Sequence, residues 1–97
     1  MLSRSDVRVR VPGPLRSLTS GQGEVSAQPG TLRALIEHLD TDYPGLKGRL
    51  CESDGSLRRF VNVFVNEEDV RFLQGLDTQV EAGARVSILP AVAGGAH

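Results

Sequence analysis

The stretch RFVNVFVNEEDVRF, Arg59 to Phe72, decides how the rest of the chain is read. From Arg59 to Asn66 its residues alternate. Val61, Val63 and Val65 point one way; Phe60, Asn62 and Phe64 point the other. A period of two predicts a strand with one buried face. Asn66-Glu67-Glu68-Asp69 reads as a polar turn, after which Val70-Arg71-Phe72 pairs back.

Two further strands flank this one in sequence. DVRVRV near the amino end alternates Val7, Val9 and Val11 against Arg8 and Arg10. ARVSILP, Ala84 to Pro90, turns Val86 and Ile88 inward and Leu89 outward. Pro12-Gly13-Pro14 interrupts the first strand because proline cannot donate to a ladder. Leu15 and Leu18 are expected to extend its pairing beyond the interruption. Gly21-Gln22-Gly23 supplies a turn, and Glu24 to Ala27 a return strand that makes a hairpin.

Between the strands lies a helical signal. Thr31 is a suitable N-cap, and Leu32, Leu35, Ile36 and Leu39 follow on one helical face. Pro44-Gly45 ends that helix. GLKGRL predicts one more helical turn and ESDGS a polar loop. Leu76 to Gly83 reads as a loop with a helical turn at Thr78 to Val80. The pattern predicts an α+β protein: a mixed four- to five-stranded β-grasp sheet packed on one main helix, its first and last strands side by side in the centre. Residues 1–90 form the β-grasp domain and 91–97 a flexible tail.

Composition limits the function. The chain has 97 residues, 11 basic and 12 acidic, for a net charge of -1. That balance offers no bulk attraction to nucleic acid or to an anionic membrane. No apolar stretch is long enough to span a bilayer, and the first residues lack the apolar run of a secretory signal. The single cysteine, Cys51, excludes an internal disulfide framework. A cytoplasmic location follows as the expectation. Cys51 has no neighbouring base and reads as an idle thiol; His38 reads as a solvated helix residue. Two distant histidines and one cysteine do not make a zinc site. Gly21-Gln22-Gly23 lacks the remainder of a dinucleotide fingerprint. No acid, base and nucleophile set is assembled, so an enzyme is not expected.

The end of the chain, ILPAVAGGAH, raises a different possibility. A glycine pair, Gly94-Gly95, follows shortly after an apolar strand, across the small uncharged Ala91, Val92 and Ala93. Glycine has no Cβ and tolerates close backbone approach. Two in a row can thread a narrow channel and lay a backbone carboxylate beside a partner's reactive group. The globular body then acts as a handle. An apolar patch of Phe60, Phe64 and Leu89 on the open sheet face would be the partner interface.

With RFVNVFVNEEDVRF, VSILPAVAGG and the helix TLRALIEHLDTDYPGL together, the chain resembles the MoaD/ThiS family of ubiquitin-like sulfur carriers, and within it the CysO-type carriers of cysteine biosynthesis. The resemblance covers nearly the whole chain. It implies that a MoeB/ThiF-like activating enzyme uses ATP to adenylate the terminal glycine. A rhodanese-like sulfur-transfer enzyme then converts it to a thiocarboxylate. A PLP-dependent cysteine-synthase-like enzyme accepts the sulfur, and a zinc-dependent JAMM-type metalloprotease releases the product. ATP, PLP and zinc belong to those partners, with no cofactor on this chain.

Carried onto this sequence, Gly95 bears the sulfur, while Gly94, Ala93 and Val92 are the threading residues. Ala96-His97 departs from the pattern by placing the needed carboxylate inside a peptide bond. The expectation is a proform cleaved between Gly95 and Ala96; a cloning remnant is the alternative. Other readings stay open: sulfur donation to molybdopterin, thiamin or a specialised metabolite, a ubiquitin-like modifier of lysines, or a binding module with an inert tail.

Overall fold

The valine alternation at the amino end forms β1, Val7–Arg10. Val7, Val9 and Val11 are fully buried and Arg8 and Arg10 exposed. The structure, a computed structural model, describes residues 6–90. The segment after β1 corrects the sequence expectation: Leu15 and Leu18 do not extend the strand. Gly13–Thr19 is a 3-10 helix with a proline in its first turn. Pro12 and Pro14 cannot donate to a ladder, and the Leu15 amide instead closes onto the Pro12 carbonyl at 3.0 Å. Leu15 still reaches the core from this helix.

The chain returns as β2, Glu24–Ala27, antiparallel to β1 with Val9 opposite Val25. A short strand β3, Gly30–Thr31, leads into helix α1, Leu32–Asp42. Thr31 caps α1 as expected: its hydroxyl accepts from the Ala34 amide at 3.1 Å. Leu32, Leu35, Ile36 and Leu39 are all buried. Each contributes roughly 1.5–3 kcal/mol relative to an exposed side chain. Gly45, at φ 99°, makes the turn that sends the chain into α2, Leu46–Leu50. The Asp40 carboxylate holds that turn by accepting from the Gly45 and Lys47 amides at 3.1 and 3.0 Å.

The alternating stretch forms β4, Val61–Val65, with its three valines buried. β5, Glu68–Asp69, pairs back on it. Val70–Phe72 does not continue that strand, contrary to expectation, but coils into a 3-10 turn. Asp69 is the cause: its carboxylate accepts from the Arg71 amide at 2.8 Å and bends the chain away. The expected helical turn at Thr78 to Val80 is also corrected. The 3-10 turn lies earlier, at Gly75–Asp77, and β6, Gln79–Val80, pairs with β3 in a separate small sheet. Val80 is thereby buried against the core.

The last strand, β7, Arg85–Pro90, lies between β1 and β4, parallel to the first and antiparallel to the second. The main sheet runs β2-β1-β7-β4-β5. First and last strands are therefore neighbours, as expected. Their valines and Ile88 join the leucines of α1 and α2 in one core, which leaves the other face of the sheet open. This mixed sheet on one main helix is the expected β-grasp arrangement.

The β4–β5 turn carries a local strain. Val65 pairs with Glu68 across two residues, Asn66 at φ 50° and Glu67 at φ 74°. Such tight hairpins favour Asn-Gly, because a Cβ in the left-handed region costs energy. Glu67→Gly is expected to raise stability by about 0.5–1 kcal/mol, measured as a rise in Tm of roughly 3–6 °C.

Candidate functional site

β7 is the central strand, and it carries the chain out of the sheet at Pro90. Val92, Ala93 and Gly94, read above as threading residues, and Gly95 and Ala96, read as the sulfur-bearing and cleavage positions, lie outside the described residues. What the structure describes is the surface beside the strand that leads to them.

On the open face, strand register sets the neighbours. Asn62 lies opposite Leu89, and Phe64 opposite Ser87. Leu89 is 47% exposed, and Phe64 is half-buried. Phe60 sits in the turn before β4 and is 51% exposed. The Arg59 guanidinium lies 5.6 Å from the centre of its ring, a cation–π contact. Leu89 and Phe60 therefore stand near the end of the sheet from which the chain leaves, while Phe64 lies further in, level with Ser87. Leu89 immediately precedes Pro90.

One residue that shapes this patch went unnoticed in the sequence. β5 reaches only Phe64 and Val65, so the amino end of β4 has no strand on that side. Arg71 takes the place of one. It donates to the Asn62 side-chain oxygen at 2.8 Å and to the carbonyls of Val61 and Arg58 at 2.8 and 2.9 Å. A weaker contact reaches the Arg59 carbonyl at 3.4 Å. One guanidinium thus pins the segment that presents Phe60. Its planar fork of donors suits this task in a way a lysine would not. Nothing in VRF distinguishes it from an outward strand arginine. Phe72, next to it, is 88% exposed and adds an apolar side chain outside the predicted set.

Cys51 is 4% exposed, and burial pushes its thiol up, the nearby Lys47 opposing this. The thiolate is the reactive form, so burial works against reactivity at this thiol. His38 is exposed on α1. An open hollow beside β5, bounded by Val65, Leu73 and Thr78, has Glu68 as its one titratable side chain. Among the described residues, no group of three or more His, Cys, Asp or Glu stands ready to hold a metal ion. No helix among them is long and apolar enough to cross a membrane.

Comparison with known proteins bears on the same features. The sequence model of the ThiS family matches residues 9–95, from inside β1 to the second glycine of the pair. The sulfur carrier protein CysO of Mycobacterium tuberculosis is 51% identical over 92 residues, 93% of this chain and 99% of that protein. Small archaeal modifier protein 3 of Haloferax volcanii is 42% identical over 65 residues, 67% of this chain and 70% of that one. In the crystal structure of the Amycolatopsis orientalis BexX/CysO complex, one chain superposes with a TM-score of 0.85. It is 42% identical, and the match covers 89% of this chain and 96% of that one. The fold is the ubiquitin-like β-grasp.

Proposed function

From the premise that the chain belongs to the ThiS family, we propose that it is a sulfur carrier whose reactive group is the carboxylate of Gly95. It is a ubiquitin-like carrier acted upon by enzymes, not itself a catalyst. The observation that carries this reading is where the family match ends: at Gly95, with Ala96 and His97 beyond it.

The chemistry follows from the poor electrophilicity of a carboxylate. A Gly95 carboxylate oxygen attacks the α-phosphorus of ATP on a MoeB/ThiF-like activating enzyme, and pyrophosphate leaves. The terminal sulfur of a persulfide on a rhodanese-like sulfur-transfer enzyme attacks the acyl carbon, and AMP leaves. A second thiol then attacks that enzyme's cysteine sulfur, forming a disulfide and releasing the acyl-bound sulfur. The product is a thiocarboxylate on Gly95. Cysteine biosynthesis is the destination that the resemblance to CysO-type carriers implies. There the thiocarboxylate sulfur attacks an intermediate on a PLP-dependent cysteine-synthase-like enzyme. A zinc-dependent JAMM-type metalloprotease separates carrier from product. The same protease class cleaves between Gly95 and Ala96 to free the carboxylate. Val92, Ala93 and Gly94 thread the activating enzyme, and Phe60, Phe64 and Leu89 dock on it.

The similarity to an archaeal modifier protein supports a second reading, conjugation of Gly95 to lysines of target proteins. Intact-mass measurement of the protein isolated from its own cells tests both. Carrier function is expected to give a chain ending at Gly95 with one oxygen replaced by sulfur. Isopeptide-linked species without that replacement would favour the modifier. A chain never found to end at Gly95 would overturn the proposal.

A further inference from the structure

The open sheet face continues beyond Phe64, which lies level with Ser87 and Arg10 across the sheet. β1 and β7 run parallel, with Arg8 beside Arg85 and Arg10 beside Ser87. All three arginines are exposed, on the side opposite the buried valines. None of the three guanidiniums has a side-chain hydrogen bond or salt bridge among the described residues. Arg71, by contrast, has its guanidinium engaged on β4. The carboxylate facing this row from β2 is Glu24, opposite Arg10, while Arg8 faces Ser26. On the far flank, Asp69 lies across from Phe64 and accepts from the Arg71 amide.

Neighbouring strands lie about 4.8 Å apart, so Arg8 and Arg85 are close like charges. Like charges on adjacent strands destabilise a sheet. The arrangement stands out in a chain whose net charge is -1.

We propose that Arg8, Arg10 and Arg85 form a carboxylate-binding row that docks an acidic surface of the activating enzyme beside the apolar patch. This rests on the carrier reading above and adds the chemistry of the partner. Leu89 and Phe60 supply apolar contact at the tail end of the face, and Phe64 supplies it in the middle. Arg8 and Arg85 supply steering and orientation at the other end, with Arg10 level with Phe64. A two-ended contact fixes the body's rotation on the partner, and with it the direction in which the chain beyond Pro90 points. Guanidinium forks match carboxylates in geometry as well as charge. The nearly neutral chain argues against nucleic acid or an anionic membrane as the occupant.

The test is the association rate of the full chain with the purified MoeB/ThiF-like activating enzyme of the same organism, measured against salt. R8A/R85A is expected to bind about tenfold more slowly at low ionic strength. The difference should shrink to less than about twofold near 0.5 M salt, where the Debye length is only a few ångströms. R33A/R49A, which removes two charges from the helices on the other side of the sheet, should match the wild type. The Tm of R8A/R85A should equal or exceed that of the wild type, which a merely structural role would not allow. Unchanged, salt-insensitive association of R8A/R85A with an enzyme that binds the wild type overturns the row alone. Failure of the wild type to bind overturns the carrier reading and the row with it. Loss in R8A/R85A of binding to RNA or phosphatidylserine vesicles, with enzyme binding intact, also overturns the proposal.

Discussion

Gly94→Val in a chain ending at Gly95 is expected to lower kcat/KM for ATP–pyrophosphate exchange by about a hundredfold or more, with Tm unchanged. The two halves of that expectation have separate causes. Stability is expected to be spared because the buried core, among the described residues, lies between Val7 and Ile88. Activity is lost because adenylation requires the carboxylate to lie in line with the α-phosphorus of ATP. An isopropyl group next to the reacting residue holds the backbone off the walls of any channel narrow enough to orient it. Misplacement of reacting atoms by about 1 Å can cost a hundredfold. Phe64, far along β4, should behave differently when replaced by alanine: docking weakens, but carrier that does dock is adenylated normally. Exchange by Gly94→Val within tenfold of the unsubstituted chain would show that the glycine pair is not threaded.

The contrast between what the sequence disclosed and what it concealed has a physical basis. Strictly alternating valines, in β1, β4 and β7, and the leucine stripe of α1 were legible because burial has one dominant cause there. Each such residue faces a single core, and its period states its face. The tight turns were harder. In Val70–Phe72 the apolar pattern still favours a strand, but one carboxylate on Asp69 captures the Arg71 amide and redirects the chain. At Gln79–Val80, the outcome depends on a partner strand almost fifty residues away, Gly30–Thr31. Such pairing cannot be read from a local window. Of the candidate site, the apolar half was suggested by alternation; the structure leaves Phe60 and Leu89 exposed and Phe64 half-buried. The role of Arg71 was hidden because its acceptors, the carbonyls of Arg58 and Val61, are backbone atoms and leave no mark in residue identity. The arginine row was equally hidden. Arg8 and Arg85 become neighbours only through the parallel pairing of the two ends of the chain.

The same alternation yields the sharpest separation of folding from function, at two consecutive residues. Ile88 is 2% exposed on the central strand, and Leu89 is 47% exposed on the opposite face. Ile88→Ala is expected to cost about 2–5 kcal/mol, because removing a buried aliphatic group loses its transfer energy and leaves a cavity. Val63 faces the site from β4 and is itself held by its ladder, so little collapse can refill it. For a domain with a total stability of roughly 5–15 kcal/mol, that is a large fraction. Leu89→Ala removes a side chain already half in water and should change stability by no more than about 0.5 kcal/mol. Its effect appears instead in the complex. A truncated apolar anchor in a docking surface costs about 1–2 kcal/mol, or roughly five- to thirtyfold in affinity for the activating enzyme. Chemical denaturation of the free proteins and titration with that enzyme read the two effects independently. Ile88→Ala, at temperatures where it remains folded, should bind within about twofold of the wild type. If Leu89→Ala bound as tightly as the wild type while Ile88→Ala did not, the open face would not be the docking surface, and the core would have to be transmitting the contact.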